Sequence, residues 1–258
     1  MGRLQDRVAI VTGGGSGLGK AQALRFAEED AAVVVADLDA VKAEEVAEQI
    51  RTAGGRSHAV KVDVTDESSV QNMVAEAVSE FGAVNILSNT AGRFDGFKQV
   101  LETTREEWDG VLAANLTSLY LVSNAVLPVM IKGGGGAIVN IASGAGLRGG
   151  GGGAAYTSTK HAVVGFTRQL AAGYGHQGVR VNAIAPGLID TPMVADFSRT
   201  EESKATLASY PGKRLGKPED IAAAAAFLVS DDADYIHAAT LPVDGGMVDT
   251  FGAHLSVD

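Results

Sequence analysis

Tyr156 and Lys160 stand four residues apart in a stretch with helical spacing, and Ser143 precedes the tyrosine by thirteen residues. Residues at i and i+4 share a helix face, so phenol and ammonium point the same way. A free phenol, with a pKa of about 10, is a poor base at neutral pH. A neighbouring cation favours the phenolate, and a downward shift of about two to three units requires about 3 to 4 kcal/mol. Such a tyrosine takes a proton from an alcohol or gives one to a carbonyl oxygen. The spacing alone also fits an ordinary pair on a helix surface. Position sharpens it, because the helix follows an apolar run, Ala137 to Ile141, that leads into Ser143.

The other half of the chemistry lies near the N-terminus. Val8 to Val11 runs into Thr12-Gly13-Gly14-Gly15-Ser16-Gly17-Leu18-Gly19, and helical spacing follows from Leu18 to Glu29. Strand, glycine turn and helix together offer free N–H groups to a pyrophosphate. The spacing Gly13-x-x-x-Gly17-x-Gly19 is wider than the common dinucleotide fingerprint. Gly14 to Lys20 also reads as the phosphate loop of nucleotide triphosphatases, but the next residue is Ala21, which lacks the magnesium-holding hydroxyl. Asp37 ends a second apolar run eighteen residues past Gly19. A carboxylate there accepts hydrogen bonds from ribose hydroxyls. It repels a 2′-phosphate by about 4 kcal/mol at about 4 Å in an effective dielectric of about 20. Leu38 and Asp39 bring no compensating cation, and Ser16 stands where a basic residue would help. The expected cofactor is therefore NAD rather than NADP, with a solvated strand-end acid as the bland alternative. The positive nicotinamide ring of its oxidised form is expected to join the Lys160 ammonium in favouring the phenolate.

These groups need a scaffold, and the rest of the chain supplies one. The 258 residues are 46% hydrophobic, enough for one large α/β domain. A net charge of −10 argues against a nucleic-acid partner. The absence of cysteine excludes disulfides and thiolate chemistry. No signal peptide, no myristoylation signal and no apolar run of membrane-spanning length are visible, so a cytoplasmic protein without a membrane partner is expected. Further strands are expected at Ala32 to Ala36, Ser57 to Val62, Val84 to Leu87, Val179 to Ile184 and Thr240 to Val243. Helices are expected at Val41 to Arg51, from the N-cap Asp66 to Phe81, Arg105 to Ile131 with Pro128 kinking or ending it, Ala154 to Gly173, and Pro218 to Val229. Short apolar strands alternating with helices predict a single doubly wound Rossmann domain over residues 1–258. Its sheet has seven mostly parallel strands with helices on both faces. Gly133 to Gly136 and Gly149 to Gly153 read as loops.

The combination resembles the short-chain dehydrogenase/reductase family over nearly the whole chain. Thr12 to Gly19 is similar to its cofactor turn, and Asp63-Val64 to the acid-apolar pair at the adenine. Asn89-Thr90-Ala91-Gly92 resembles the family's Asn-Asn-Ala-Gly. Asn115, Ser143, Tyr156 and Lys160 fall where the family has its catalytic tetrad. Pro186-Gly187 and Thr191 resemble the segment over the nicotinamide, and Val243 to Gly246 a C-terminal signature. The resemblance implies Tyr156 as general acid/base and Ser143 as the hydrogen-bond donor to the substrate oxygen. It implies Lys160 as the binder of the nicotinamide ribose that also lowers the tyrosine pKa, and Asn115 as the holder of a relay water. It implies cofactor contacts at Gly13, Ser16, Gly17, Leu18, Gly19, Asp37, Leu38, Asp63, Val64, Asn89, Ala91, Gly92, Pro186, Gly187, Ile189 and Thr191, besides Tyr156 and Lys160. A homotetramer acting on a small alcohol or ketone is implied as well.

The chain also departs from that pattern. Thr90 replaces an asparagine and puts local support in doubt. Tyr235 to Thr240 lacks the frequent Thr-Gly pair, so a different turn is expected there. The glycine run beside the substrate mouth suggests a roomy, adaptable pocket. Arg93, Phe94 and a lid at residues 188–210, with Met193, Val194, Phe197 and Leu207, are expected to border the substrate, whereas Trp108 reads as helix packing. The five histidines show no ligand spacing, so no metal site is expected. No serine has the flanking glycines of a hydrolase elbow. A 3-oxoacyl-thioester reductase, a sugar or polyol dehydrogenase, and a dinucleotide-binding regulator without turnover remain open as alternatives.

Overall fold

The computed structural model describes residues 2–195 and 200–250. Its strands are β1 (Val8–Thr12), β2 (Ala32–Asp37), β3 (Arg56–Lys61), β4 (Ile86–Asn89), β5 (Gly136–Ile141), β6 (Val179–Pro186) and β7 (Thr240–Val243). Its helices are α1 (Gly17–Glu28), α2 (Ala40–Thr52), α3 (Glu67–Phe81), α4 (Arg105–Leu112), α5 (Ser118–Lys132), α6 (Ala154–Tyr174), α7 (Glu201–Ala208) and α8 (Pro218–Val229). The seven strands form one sheet in the order β3-β2-β1-β4-β5-β6-β7. Every neighbouring pair is parallel, as the alternating pattern predicts.

Both faces of the sheet are covered, which is why its strands read as unbroken apolar runs. Successive residues point to opposite faces. Val33 and Val35 join one core with Phe26 of α1, Val46 of α2 and Ile221 of α8. Val34 and Ala36 join the other with Met73 of α3, Val126 of α5 and Leu170 of α6. Because β1 lies between β2 and β4, the connections leave it in opposite directions. That opens a crevice at the carboxyl ends of the strands, the place where open α/β sheets take ligands.

Three expected boundaries shift for identifiable reasons. β4 begins two residues later than Val84, because Asn85 clips onto the start of β1. Its side-chain oxygen accepts the Val8 N–H at 2.9 Å, and the ladder opens with Ala9 opposite Ile86. The helix expected from Arg105 to Ile131 is interrupted by a π-turn at Ala113–Thr117. It then runs through Pro128 to Lys132, the lost N–H being outweighed by burial of Val126, Leu127 and Met130. Gly136, expected in a loop, opens β5.

The helical run Arg105–Lys132 spans 28 residues with a window of mean hydropathy 1.4, long and apolar enough to cross a membrane by those measures. This corrects the expectation that no apolar run reaches that length. Val122, Val126 and Met130 from this run pack into the sheet core, which accounts for its composition.

The departure at Tyr235 to Thr240 places a non-glycine residue in a left-handed conformation. Ala238 takes a left-handed φ of 58°, while its N–H is held by the Val181 carbonyl at 2.9 Å. A side chain in that region costs about 1–2 kcal/mol. Ala238→Gly is expected to raise stability by about 0.5–1 kcal/mol, with part of the relief returned as entropy of the unfolded chain. The urea midpoint reads this directly.

Candidate active site

α6 carries Tyr156 in its first turn and Lys160 one turn on. The Lys160 side chain is buried, and its Nζ donates to the main-chain oxygen of Ile141, the last residue of β5, at 2.7 Å. The same nitrogen lies 5.5 Å from the centre of the Tyr156 ring. Burial pushes the Lys160 ammonium down to about 8. Burial also pushes the Tyr156 phenol above its usual value; a hydrogen bond with Ser143 pulls against this, and the charge of Asp95 adds to it. The expected lowering, in which the Lys160 ammonium acts together with an oxidised nicotinamide, is not reached by the protein alone. The ammonium faces the ring and is committed to Ile141, so the protein alone holds the proton on the phenol.

Ser143 follows β5, and its Oγ accepts the Ala145 N–H at 3.1 Å, fixing it at the turn Gly144–Gly146. Asn115 sits in the π-turn with its side chain fully buried. Its Oδ1 accepts the Arg93 N–H at 2.7 Å. Its Nδ2 donates to the Arg93 carbonyl at 2.9 Å and to Thr159 Oγ1 at 3.3 Å. Both amide protons are therefore engaged, and the side chain acts as a brace between the β4 loop and α6. The water-holding role that the resemblance implies for it would therefore run through an acceptor oxygen of Asn115, since both amide protons are taken.

Tyr156 and Ser143 share a cavity of about 520 Å³. Its walls are largely apolar, with Phe94, Phe97, Met193, Leu207 and Met247 among them, and Arg148 is the one charged side chain among the described lining residues. Arg148 donates to the Met247 carbonyl. The Phe94 ring stands edge-on to Tyr156 at 5.1 Å and to Phe97 at 4.9 Å. Of the expected lid, Leu188, Met193, Val194, Leu207 and Tyr210 face this cavity, while Phe197 lies outside the described residues. Arg93 lines the neighbouring cleft instead, and Trp108 lies in α4 and lines neither. The glycine run is more than slack. A Cβ on Gly152 would stand 2.6 Å from Tyr156 Cδ1, so this residue must be glycine for the ring to sit where it does.

The neighbouring cleft, about 440 Å³, lies over the glycine turn at the start of α1. It brings together Gly13, Ser16, Gly17, Leu18, Gly19, Asp37, Leu38, Asp63, Val64, Ala91, Gly92 and Thr191 of the expected cofactor residues. A Cβ on Gly19 would lie 2.0 Å from the Gly13 oxygen, so the turn closes only with glycine there. Asp37 accepts from the Gly15 and Asp39 N–H groups, each at 2.9 Å. Asp63 is held below the usual carboxylate range by hydrogen bonds from Thr65. Besides Tyr156 and Lys160, four expected residues fall elsewhere. Pro186 and Gly187 line the tyrosine cavity. Asn89 is buried in the sheet and donates to Asn140 at 2.9 Å. Ile189 packs into the hydrophobic core and bridges to Gly216, because its apolar side chain turns inward.

A family model described as enoyl-(acyl carrier protein) reductase matches residues 13–248. The chain is 44% identical over 246 residues to the 2,5-dichloro-2,5-cyclohexadiene-1,4-diol dehydrogenase LinX of Sphingobium indicum, covering 95% of this chain and 97% of that one. The chain belongs to the short-chain dehydrogenase/reductase family. Two solved structures agree with it closely. The crystal structure of levodione reductase superposes with a TM-score of 0.92 at 37% identity, covering 96% of this chain and 100% of that one. A 7α-hydroxysteroid dehydrogenase complexed with NADH and 7-oxo glycochenodeoxycholic acid does so with a TM-score of 0.90 at 36% identity, covering 95% of each chain. This short-chain dehydrogenase/reductase is accordingly an oxidoreductase of alcohols or ketones.

The doubt over Thr90 is resolved by a contact no short-range pattern reveals. Gln22 of α1 donates to Thr90 Oγ1 at 3.1 Å, and Ser88 Oγ lies 2.9 Å from the same oxygen. Thr12 Oγ1 accepts the Thr90 N–H at 3.0 Å. The hydroxyl is thus fully engaged in this cluster. Thr159, which ties Asn115 to α6, and Asp95 were likewise invisible as site residues, since their partners are remote in sequence.

Gly152→Ala is expected to displace the phenol. A misplacement of about 1 Å costs up to about a hundredfold, so kcat should fall by about tenfold or more. Binding of reduced nicotinamide cofactor, followed by fluorescence, should stay within about twofold.

Proposed function

We propose that this enzyme uses NAD to oxidise a secondary alcohol on a largely apolar, ring-bearing substrate, or to reduce the matching ketone. The observation that carries the reading is that the tyrosine cavity and the glycine-turn cleft meet at Met193, which lines both. A proton-transfer group thus borders a crevice suited to a dinucleotide. The cyclic diol and 7-oxo steroid named for two relatives support a ring substrate. The apolar cavity wall weighs against a sugar or polyol.

The residues present fit the cofactor. The first N–H groups of α1 open onto the cleft for a pyrophosphate, and the glycine turn leaves no side chain in the way. Bound nicotinamide supplies or accepts the hydride. Tyr156 moves the proton, taking it from the carbinol in oxidation and returning it to the carbonyl oxygen in reduction. Ser143 hydrogen-bonds that oxygen and stabilises its developing charge. Lys160 keeps two of its three N–H donors for the nicotinamide ribose. Asn115 braces the Arg93 main chain and α6. Asp37 favours NAD over NADP, and the nearby Lys42 is engaged by Asp39 at 3.3 Å, leaving the carboxylate uncompensated. The chain is proposed to work as one domain in the cytoplasm, with residues 188–210 as the substrate lid. A homotetramer fits the exposed apolar surface at Tyr120 on α5.

Oxidation needs the phenolate, so its kcat/KM should rise with pH; reduction needs the phenol, so it should fall through the same pKa. Tyr156→Phe should abolish both while dinucleotide affinity stays within a few-fold. Absorbance at the nicotinamide band, with cyclic alcohols and both cofactors in parallel, measures this. A folded variant with wild-type turnover would sink the reading.

Asp37→Asn should move the ratio of NADP to NAD affinities towards NADP by at least about tenfold, as the lost repulsion requires. An unchanged ratio in a fluorescence titration means that the carboxylate does not face the adenosine ribose.

A further inference from the structure

Asp95, in the loop after β4, has no part in the chemistry set out above. Its carboxylate is nevertheless devoted to the start of α6. Oδ2 accepts the Tyr156 N–H at 2.8 Å. Oδ1 accepts the Gly153 N–H at 2.9 Å and the N–H of Phe97, in its own loop, at 3.2 Å. The first turn of a helix has N–H groups without partners inside the helix. α6 has glycine at its N-cap and no capping side chain of its own. Asp95 supplies the cap from 58 residues upstream.

The same loop reinforces the grip. The Lys98 carbonyl accepts the Ala154 N–H at 2.9 Å. A Cβ on Gly153 would stand 2.4 Å from that oxygen and 2.6 Å from Asp95 Oδ2, so the approach is possible only at glycine. Phe94, the residue before Asp95, presses edge-on against the Tyr156 ring. The loop therefore holds the tyrosine by both its main chain and its ring, and holds the end of the glycine wall as well.

We infer that Asp95 is a positioning residue for Tyr156, fixing the first turn of α6 to the β4 loop and so setting where the phenol stands in the substrate cavity. Its negative charge also acts on the phenol and opposes ionisation. The groups facing that phenol are Ser143 from the turn after β5, Lys160 from α6 and Asp95 from the β4 loop. An ordinary helix cap would contribute stability alone. A positioning carboxylate leaves a mark on the pH profile.

Two variants separate these roles. Asp95→Asn loses the charge and one of the two acceptor oxygens, keeping the other for part of the cap. The alkaline rise of kcat/KM for alcohol oxidation should then move to lower pH. Asp95→Ala loses all three hydrogen bonds, and kcat should fall by about tenfold or more while NADH affinity stays within about twofold. The inference is overturned if folded Asp95→Asn keeps the wild-type pH midpoint, or if Asp95→Ala loses activity only in proportion to its unfolded fraction by circular dichroism. If Asp95→Ala does not fold, Asp95→Asn decides alone. The inference rests on Tyr156 as the acid/base, and the two fail differently. An active Tyr156→Phe removes that reading, whereas an inert Tyr156→Phe beside an Asp95→Asn with wild-type pH behaviour removes only the role of Asp95.

Discussion

A buried ammonium resting on a strand-end carbonyl organises the site. An unpaired charge inside a protein costs several kcal/mol; Lys160 offsets part of that by donating to Ile141 where β5 runs out, and the rest shows as its lowered pKa. Helix geometry does the rest. Once Lys160 is tied to the end of β5, the residue one turn earlier on the same face is constrained, and that residue is Tyr156. The turn carrying Ser143 is pressed against the same helix. A Cβ on Gly146 would stand 2.5 Å from the Lys160 carbonyl oxygen, so the turn approaches as closely as main chains allow. Phenol, hydroxyl and ammonium thus share one frame, the contact between a helix and a strand end, to which the β4 loop pins the helix's first turn.

The sheet was legible because burial on both faces writes itself into sequence as runs such as Ala32-Val33-Val34-Val35-Ala36. The glycine turn was legible because a helix N-terminus brought against a strand end tolerates no side chain at Gly19. What escaped was set by partners far apart in the chain. The start of β4 depends on Asn85 reaching Val8, and the adequacy of Thr90 depends on Gln22 and Ser88. The π-turn at Asn115 escaped because Arg105 to Ile131 has helical spacing throughout, and one extra residue in a turn barely changes an apolar pattern. Ile189 was assigned by position in a motif, and its inward packing follows from its apolar side chain.

The protein alone meets only part of the electrostatic expectation, and the reason is instructive. Spacing on a helix says that two side chains share a face, but it says nothing of which atoms meet. Here the ammonium addresses the ring at 5.5 Å and a carbonyl at 2.7 Å. Burial then acts on the two groups in opposite senses, since the charged form is the phenolate in one and the ammonium in the other. The phenol is driven up and the ammonium down. At neutral pH the protein alone therefore holds a protonated phenol beside an ammonium, the state that carbonyl reduction requires. Alcohol oxidation in the proposed reaction requires the phenolate, and the positive charge that favours it arrives only with an oxidised nicotinamide. On this reasoning the dry setting of Tyr156 links the charge of the phenol to the oxidation state of the cofactor, which a solvated tyrosine would not do.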